Sequence, residues 1–580
     1  MKFFHVYNEE CFKGLEKNGL LNKDSGFMVK NVFSVPKERQ FNNIAARGGK
    51  LHDMIKEGRH PFYVDRIAGG VTYFPYKFDQ KLIREYDDLL GDWFLGFQLH
   101  ESGSNRRESD WQRILRLTGE KGPYDPELLR NLLKNPKKFP DGKVMILQSL
   151  SQDSSDVYAK LCYAKTPAEY LEEMRDVFSR RMAEVGGHIL PCDSYYLATK
   201  IQDELGMKTF MPEVGCQIML MRLEVALARG MAKASHKTWG IYYECWRPDP
   251  EVKPSGFSMP CYHVDVVNEW YLTQELHGDD FTTYGENGGS SRLLQNRIYY
   301  YALMSGADYA SEEWGLNCSY ADMEEYTLSA YGEVKKAFIH DAEKYQGIQA
   351  VIPFAIVLPK AYSCVELTDE LSRYELGSHR SEYMKAPLNQ EEQEYFGHVE
   401  DVLKLFFARY GEAYGNEGHV ITNSRFGDVV DIIYEDAGEE TLNQYEYLID
   451  ATKNGDFIRA KVGSNLRILE SADLEQLAVT VEKLIPEVMP VSVNGLSWLV
   501  SVDNQKRNFL SIFNNEGNER SIYKGDVINT EADKTVTVTF KKPANLNVAR
   551  EGSRAVTVQK VDDSTYCVEI PATSFVIIEF

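Results

Sequence analysis

Trp239-Gly-Ile-Tyr-Tyr-Glu-Cys-Trp246 is a short apolar run that ends on a carboxylate. A helical pattern precedes it over Cys216–Ala232 and another follows over Ser291–Met304. Ala307–Glu312 then repeats the design, a few apolar residues closed by an acid. Toward the N-terminus the same unit recurs. Candidate strands there are Phe3–Tyr7, Phe27–Val35, Pro61–Arg66, Trp93–Leu99, His188–Cys192 and Thr209–Glu213. Between strands, Ala168–Val185 carries Tyr170, Leu171, Met174, Val177, Phe178 and Met182 at a period near 3.6. Strand followed by helix, eight times over, predicts an α/β fold built on a closed (β/α)8 TIM barrel rather than an open sheet. Residues 105–165 read as an insertion after the fourth strand. The count starts at Phe3; were Phe3–Tyr7 only a lead-in, Ala350–Pro359 would supply the eighth strand.

Beyond the barrel the pattern changes twice. Helix Gln390–Tyr410, strands His419–Thr422 and Val429–Tyr434, and helices Gly438–Ala451 and Ser471–Ile485 predict a small α/β, Rossmann-like domain. From Val491 the period becomes two, in Trp498–Val502, Phe509–Phe513, Thr535–Lys541, Arg554–Val561, Tyr566–Ile570 and Ser574–Phe580, which predicts an antiparallel β-sandwich. The expected boundaries are 1–348 for the barrel, 349–488 for the small α/β domain and 489–580 for the sandwich.

The chain has 580 residues and a formal net charge of −22. Phosphate neutralisation needs a surplus of Lys and Arg on some face, so a nucleic-acid partner is not expected. Hydrophobic residues make up 43% and charged residues 26%, a folded globular composition rather than a disordered one. No apolar stretch approaches the roughly 20 residues that cross a bilayer, and no secretory core of about 7–15 apolar residues follows Lys2. The nine Cys are odd in number, scattered and without a C-x-x-C pair, which argues for reduced thiols in a cytoplasm and against a zinc ribbon. There is no H-E-x-x-H, no EF-hand loop, no P-loop and no G-x-S-x-G elbow, so neither a metal nor a cofactor is expected.

The chemistry is written at the strand ends. In a parallel barrel the active site lies at the carboxyl ends of the strands. Asp65 and Arg66 end the third, His100 and Glu101 the fourth, Glu213 the sixth, Glu244 the seventh, and Glu312, Glu313 and Trp314 the eighth; Asp193 follows the fifth. Five or more carboxylates converging on one rim, beside Trp and Tyr, is the arrangement that glycoside hydrolysis requires. That reaction needs two carboxyl groups across the scissile bond, one protonated and one ionised. Crowded like charges in a partly dry site drive their pKa values apart. Of the neighbours Glu312 and Glu313, alternation lets at most one face the cavity.

In layout the chain resembles the clan A retaining glycosidases on TIM barrels. There the acid/base Glu ends the fourth strand, the nucleophile Glu ends the seventh, and a Trp often ends the eighth. The resemblance places Glu101, Glu244 and Trp314 on those positions. One position departs, since His100 stands where the clan usually carries Asn. The order of barrel, small α/β domain and terminal sandwich is similar to the family 42 β-galactosidases, whose middle domain supports trimers, and so implies a homo-oligomer. The expectation is a glycosidase acting on a carbohydrate by double displacement, with Glu244 attacking the anomeric carbon and Glu101 as acid and then base. Asp65, Arg66, His100, Asp193, Glu213 and Glu313 are the candidates to contact sugar hydroxyls, and Trp246 and Trp314 the stacking walls. Two other readings stay open: an inverting hydrolase pairing Glu101 with Glu313 or Asp193, and a carbohydrate-binding barrel without chemistry.

Overall fold

The computed structural model describes residues 1–31, 37–67, 76–100, 166–192, 199–215, 220–244, 291–313, 319–322, 324–364, 389–411, 420–453, 455–462, 467–521 and 524–580. The N-terminal half forms one parallel sheet. Its strands are β1 (Lys2–Val6), β2 (Ser25–Lys30), β3 (Phe62–Ile67), β4 (Phe94–His100), β5 (Ile189–Cys192), β6 (Thr209–Phe210), β7 (Glu213–Gly215), β8 (Thr238–Glu244) and β9 (Tyr309–Glu312). The spatial order is β5-β4-β3-β2-β1-β9-β8-β6, with β7 also on β8. β6 and β7 are one stave interrupted at Met211-Pro212, so nine strands make eight staves. Pro212 has no N–H to give the ladder, yet its carbonyl still accepts from Tyr242 N–H at 2.8 Å. The two ends of the order, β5 and β6, lie against each other and bring the sheet round to a barrel.

β1 settles the strand count. It pairs with β2 on one side and β9 on the other, so it is a stave. Phe354–Leu358, the rival for the eighth position, lies in a different sheet. The expected strand Phe27–Val35 begins at Ser25 and is placed as Ser25–Lys30; Asn31 N–H still bonds Asp65 C=O at 2.5 Å, its side-chain carbonyl accepts from Phe41 N–H at 2.9 Å, and residues 32–35 lie outside the described residues. Gly96 sits at φ +96° where the β3–β4 register shifts, a bulge conformation that a side chain would strain.

Inside the barrel, aromatic rings from separate staves meet. The Phe4 ring lies 5.0 Å from that of Tyr63 and 5.5 Å from that of Tyr309. Tyr63 Oη and Ser311 Oγ are 2.6 Å apart, linking β3 to β9 across the interior. Tyr63, Tyr309 and Ser311 therefore mark the inward register of their strands, and alternation assigns the rest. Outside stand helices with capped N-termini. Asp79 caps Gln80–Leu90 and Ser291 caps Arg292–Met304.

The helix Met221–Ser235 is buried over most of its length, because a second sheet covers its outer side. That sheet is parallel, in the order Val430–Tyr434, Phe354–Leu358, Tyr447–Asp450, Arg467–Glu470. Two buried cations tie helix to sheet: Arg222 Nε to Asp428 at 2.6 Å and Arg229 Nε to Asp431 at 2.5 Å. Asp431 also meets Lys233, and although burial opposes ionisation, Arg229 and Lys233 hold its pKa below the usual value.

Two expected elements differ here. The helix expected over Gly438–Ala451 is a single turn, Glu439–Leu442, followed by the strand Tyr447–Asp450. That strand is buried between two neighbours, so its apolar run shows no period to separate it from a helix. Val420–Thr422 forms no strand; Val420 C=O accepts from Met221 N–H instead of from a neighbouring strand, and the Thr422 hydroxyl donates to Phe407 C=O.

The C-terminal part makes two larger antiparallel sheets and a two-stranded one of Asn518–Ser521 with Lys524–Ile528. Of the larger two, one orders Gln349–Ala350, Ser497–Val502, Asn508–Asn514, Ser574–Glu579 and Asn547–Glu551; the other orders Val491–Val493, Lys534–Phe540, Thr565–Ile570 and Thr557–Lys560. Lys534–Phe540 alternates buried Val536, Val538 and Phe540 with more exposed residues, as the two-residue period requires. Arg297 on a barrel helix reaches this part, donating to Asn515 Oδ1 at 2.9 Å and Thr573 C=O at 2.5 Å. Among the described residues no helix is long and apolar enough to cross a membrane.

Candidate active site

One strand step above the Tyr63–Ser311 contact, the barrel interior turns polar. Parallel pairing aligns Lys30 with Asp65, Asp65 with Gln98, and Glu213 with Tyr242, so each pair shares a face. Tyr242 aligns with the inward Ser311, and Tyr242 Oη donates to Asp65 Oδ2 at 3.5 Å from the opposite side of the barrel. Lys30, Asp65, Gln98, Glu213 and Tyr242 thus form one level at the carboxyl ends of their strands. Glu313 follows Ser311 at the inward spacing, and its N–H bonds Tyr243 C=O at 2.9 Å, which carries the β8–β9 register one residue further. Each of these side chains is buried.

The level is held by charge. Lys30 Nζ lies 2.7 Å from Asp65 Oδ2, with 5% and 0% of the two side chains exposed. A buried ion needs such a partner, since removing one member of a pair costs about 3–5 kcal/mol.

Glu312 does a different job. Its carboxylate points out of the barrel, bonds Tyr299 Oη and lies 2.7 Å from Lys335 Nζ, tying β9 to the helices Arg292–Met304 and Ala330–Ala342. Close by, on the same outer side of the sheet, burial first and then the Lys335 charge push His5 well below the ordinary histidine range. His5 is therefore a neutral ring within the packing.

Of the expected site residues, Asp65, Glu213 and Glu313 come together at the mouth. Arg66, His100 and Glu244 have placed backbone in β3, β4 and β8, but their side chains lie outside the described part. Position 244 pairs with Gly215, and the Glu313 N–H to Tyr243 bond sets it beside 313. Glu101, Asp193, Trp246 and Trp314 lie outside the described residues. Three members of the polar level were not anticipated: Lys30, Gln98 and Tyr242. A lysine ending the apolar run Phe27-Met-Val-Lys30 and a glutamine between Phe97 and Leu99 were the available signals, because a polar side chain inside a buried strand calls for a partner or a ligand. Among the described residues no group of three or more His, Cys, Asp or Glu is arranged to hold a metal ion.

Fold and mouth together define a parallel β/α-barrel protein with an acidic, tyrosine-bearing level at the carboxyl ends of its strands. No protein-family model matches the sequence, and no curated protein matches it. Among solved structures the chain is similar to α-L-fucosidase isoenzyme 2 from Paenibacillus thiaminolyticus, at 9% identity and a TM-score of 0.42, over 100% of this chain and 99% of that one. It is also similar to a β-galactosidase from the Antarctic haloarchaeon Halorubrum lacusprofundi, at 9% identity and a TM-score of 0.39, over 100% and 99% of the two chains. Likenesses of this size assign neither a family nor a substrate.

Proposed function

We propose that this protein is a glycoside hydrolase that cleaves a carbohydrate substrate by double displacement. The observation that carries the reading is the convergence of Asp65, Glu213 and Glu313, from three separate staves, on one buried mouth at the carboxyl ends of the barrel. In the proposed mechanism Glu244 is the nucleophile. Its place at the end of β8, two residues beyond Tyr242 and in register beside 313, supports that role. Glu101, directly after β4, protonates the leaving oxygen and then activates water. Asp65, Glu213, Glu313, Arg66, His100 and Asp193 hold sugar hydroxyls, and Trp246 and Trp314 stack on the ring.

The test is a panel of nitrophenyl glycosides with wild type, Glu244→Gln and Glu101→Gln. Each substitution is expected to lower kcat by roughly 10³-fold or more, since each removes a group acting in the transition state. Azide is expected to rescue Glu244→Ala as a glycosyl azide, and the first-formed product is expected to retain its anomeric configuration. Near-normal turnover in both Gln variants would overturn the assignment, and an inverted product would replace double displacement with direct attack by water.

A further inference from the structure

Gln98 has a property that none of its neighbours at the mouth shares. It is 0% exposed, and neither its Oε1 nor its Nε2 has a hydrogen-bond partner. Its register is shared with Asp65 on one side and Leu190 on the other, so the amide stands at the polar level inside the barrel. Phe97, the preceding residue, packs outward against Phe41, Phe78 and Phe94. The Asp65 carboxylate, by contrast, is met by Lys30 and Tyr242.

An unsatisfied amide in a barrel interior is costly, and an apolar side chain of the same volume would avoid the cost. A residue of this kind is retained where a ligand completes it. An amide carries one acceptor and one two-proton donor and no charge, which complements a hydroxyl, itself both donor and acceptor.

We propose that Gln98 is a specificity-determining residue that reads a hydroxyl of the substrate. The inference rests on the reading of the mouth as a carbohydrate site and deepens it by naming a residue that recognises the sugar.

Equilibrium binding tests it on the full chain, with methyl glycosides of galactose, glucose, mannose and fucose as probes. Binding is read by ligand-detected NMR and by thermal shift. Gln98→Met keeps the length of the side chain and removes both polar ends; Gln98→Leu is the second variant. The expected result is that wild type binds at least one of these glycosides. Gln98→Met is expected to bind it roughly 10–100-fold more weakly, with an unfolding temperature equal to or above that of wild type. Unchanged affinity in both variants, failure of wild type to bind any of the glycosides, or a lowered unfolding temperature in both variants would each overturn the proposal. Loss of binding in the variants without cleavage of any aryl glycoside by wild type upholds the role of Gln98 and sinks the hydrolase reading alone.

Discussion

Replacing Lys30 by Met isolates the energetics of the mouth. The substitution removes an ammonium 2.7 Å from Asp65 Oδ2 and leaves a carboxylate with 0% exposure. At an effective dielectric constant of about 20, two unit charges at that separation attract by about 6 kcal/mol. Much of this is offset in wild type by the cost of drying both ions, which is several kcal/mol each. The single variant keeps the cost for Asp65 and loses the attraction, so its stability is expected to fall by about 3–5 kcal/mol at neutral pH. Asp65 escapes the penalty by taking up a proton, which raises its folded pKa above the unfolded value near 3.9. A carboxyl with a raised folded pKa loses stability as pH rises from about 4 through that folded value. The deficit of Lys30→Met is therefore expected to be small at pH 4 and complete at pH 7. Lys30→Met combined with Asp65→Asn is expected to recover most of the loss, because a neutral pair needs no counter-ion. The assay is urea unfolding followed by intrinsic fluorescence at both pH values, comparing the same transition across all four proteins. A single variant within about 1 kcal/mol of wild type at pH 7, or a double variant no better than the single, would refute the argument.

Glu312 and Glu313 are adjacent but are expected to fail differently. Glu312→Gln leaves Lys335 buried without its counter-charge and is expected to cost about 3–5 kcal/mol in unfolding, whereas Glu313→Gln is expected to act mainly on sugar binding, read by thermal shift with and without glycoside. Gly230→Ala would place a Cβ 2.1 Å from Ile432 C=O, where the helix Met221–Ser235 rests on the second sheet, and is expected to cost about 1–3 kcal/mol or more. Gly397→Ala on the helix Gln390–Phe407 meets nothing within 4 Å and is expected to stabilise by about 0.5–1 kcal/mol; a raised unfolding temperature for Gly230→Ala or a lowered one for Gly397→Ala would contradict the respective expectation. His5, held neutral by burial and by Lys335, binds its proton more readily when unfolded. Its contribution is present above the unfolded pKa near 6.5 and is lost as pH falls below it, at up to about 1.4 kcal/mol per pH unit, so His5→Phe is expected to flatten the profile of unfolding temperature between pH 6.5 and 5. Parallel profiles for the two proteins would remove His5 from the account.

Much of the barrel was legible because its signals are local. Phe3–Tyr7, Pro61–Arg66, Trp93–Leu99, His188–Cys192 and Trp239–Glu244 each lie within a residue or two of a strand, since a short apolar run closed by polar residues needs no knowledge of its neighbours. Strand-end acids were legible for the same reason, and Asp65, Glu213 and Glu313 do share one mouth. The run Tyr447–Asp450 was not legible, because a strand buried on both faces loses the alternation that identifies it.

Local pattern was enough to set the kind of element, its order along the chain and the acidic character of the strand ends, because periodicity and composition act over a few residues. Partnership required the folded chain. Lys30 meets Asp65 across 35 positions, Tyr63 meets Ser311 across 248, and Glu312 turns outward to Lys335 while Glu313 takes the inward register. These assignments depend on which strands lie side by side and in what register. Register is a property of pairs of distant segments, so a single run of residues cannot encode it.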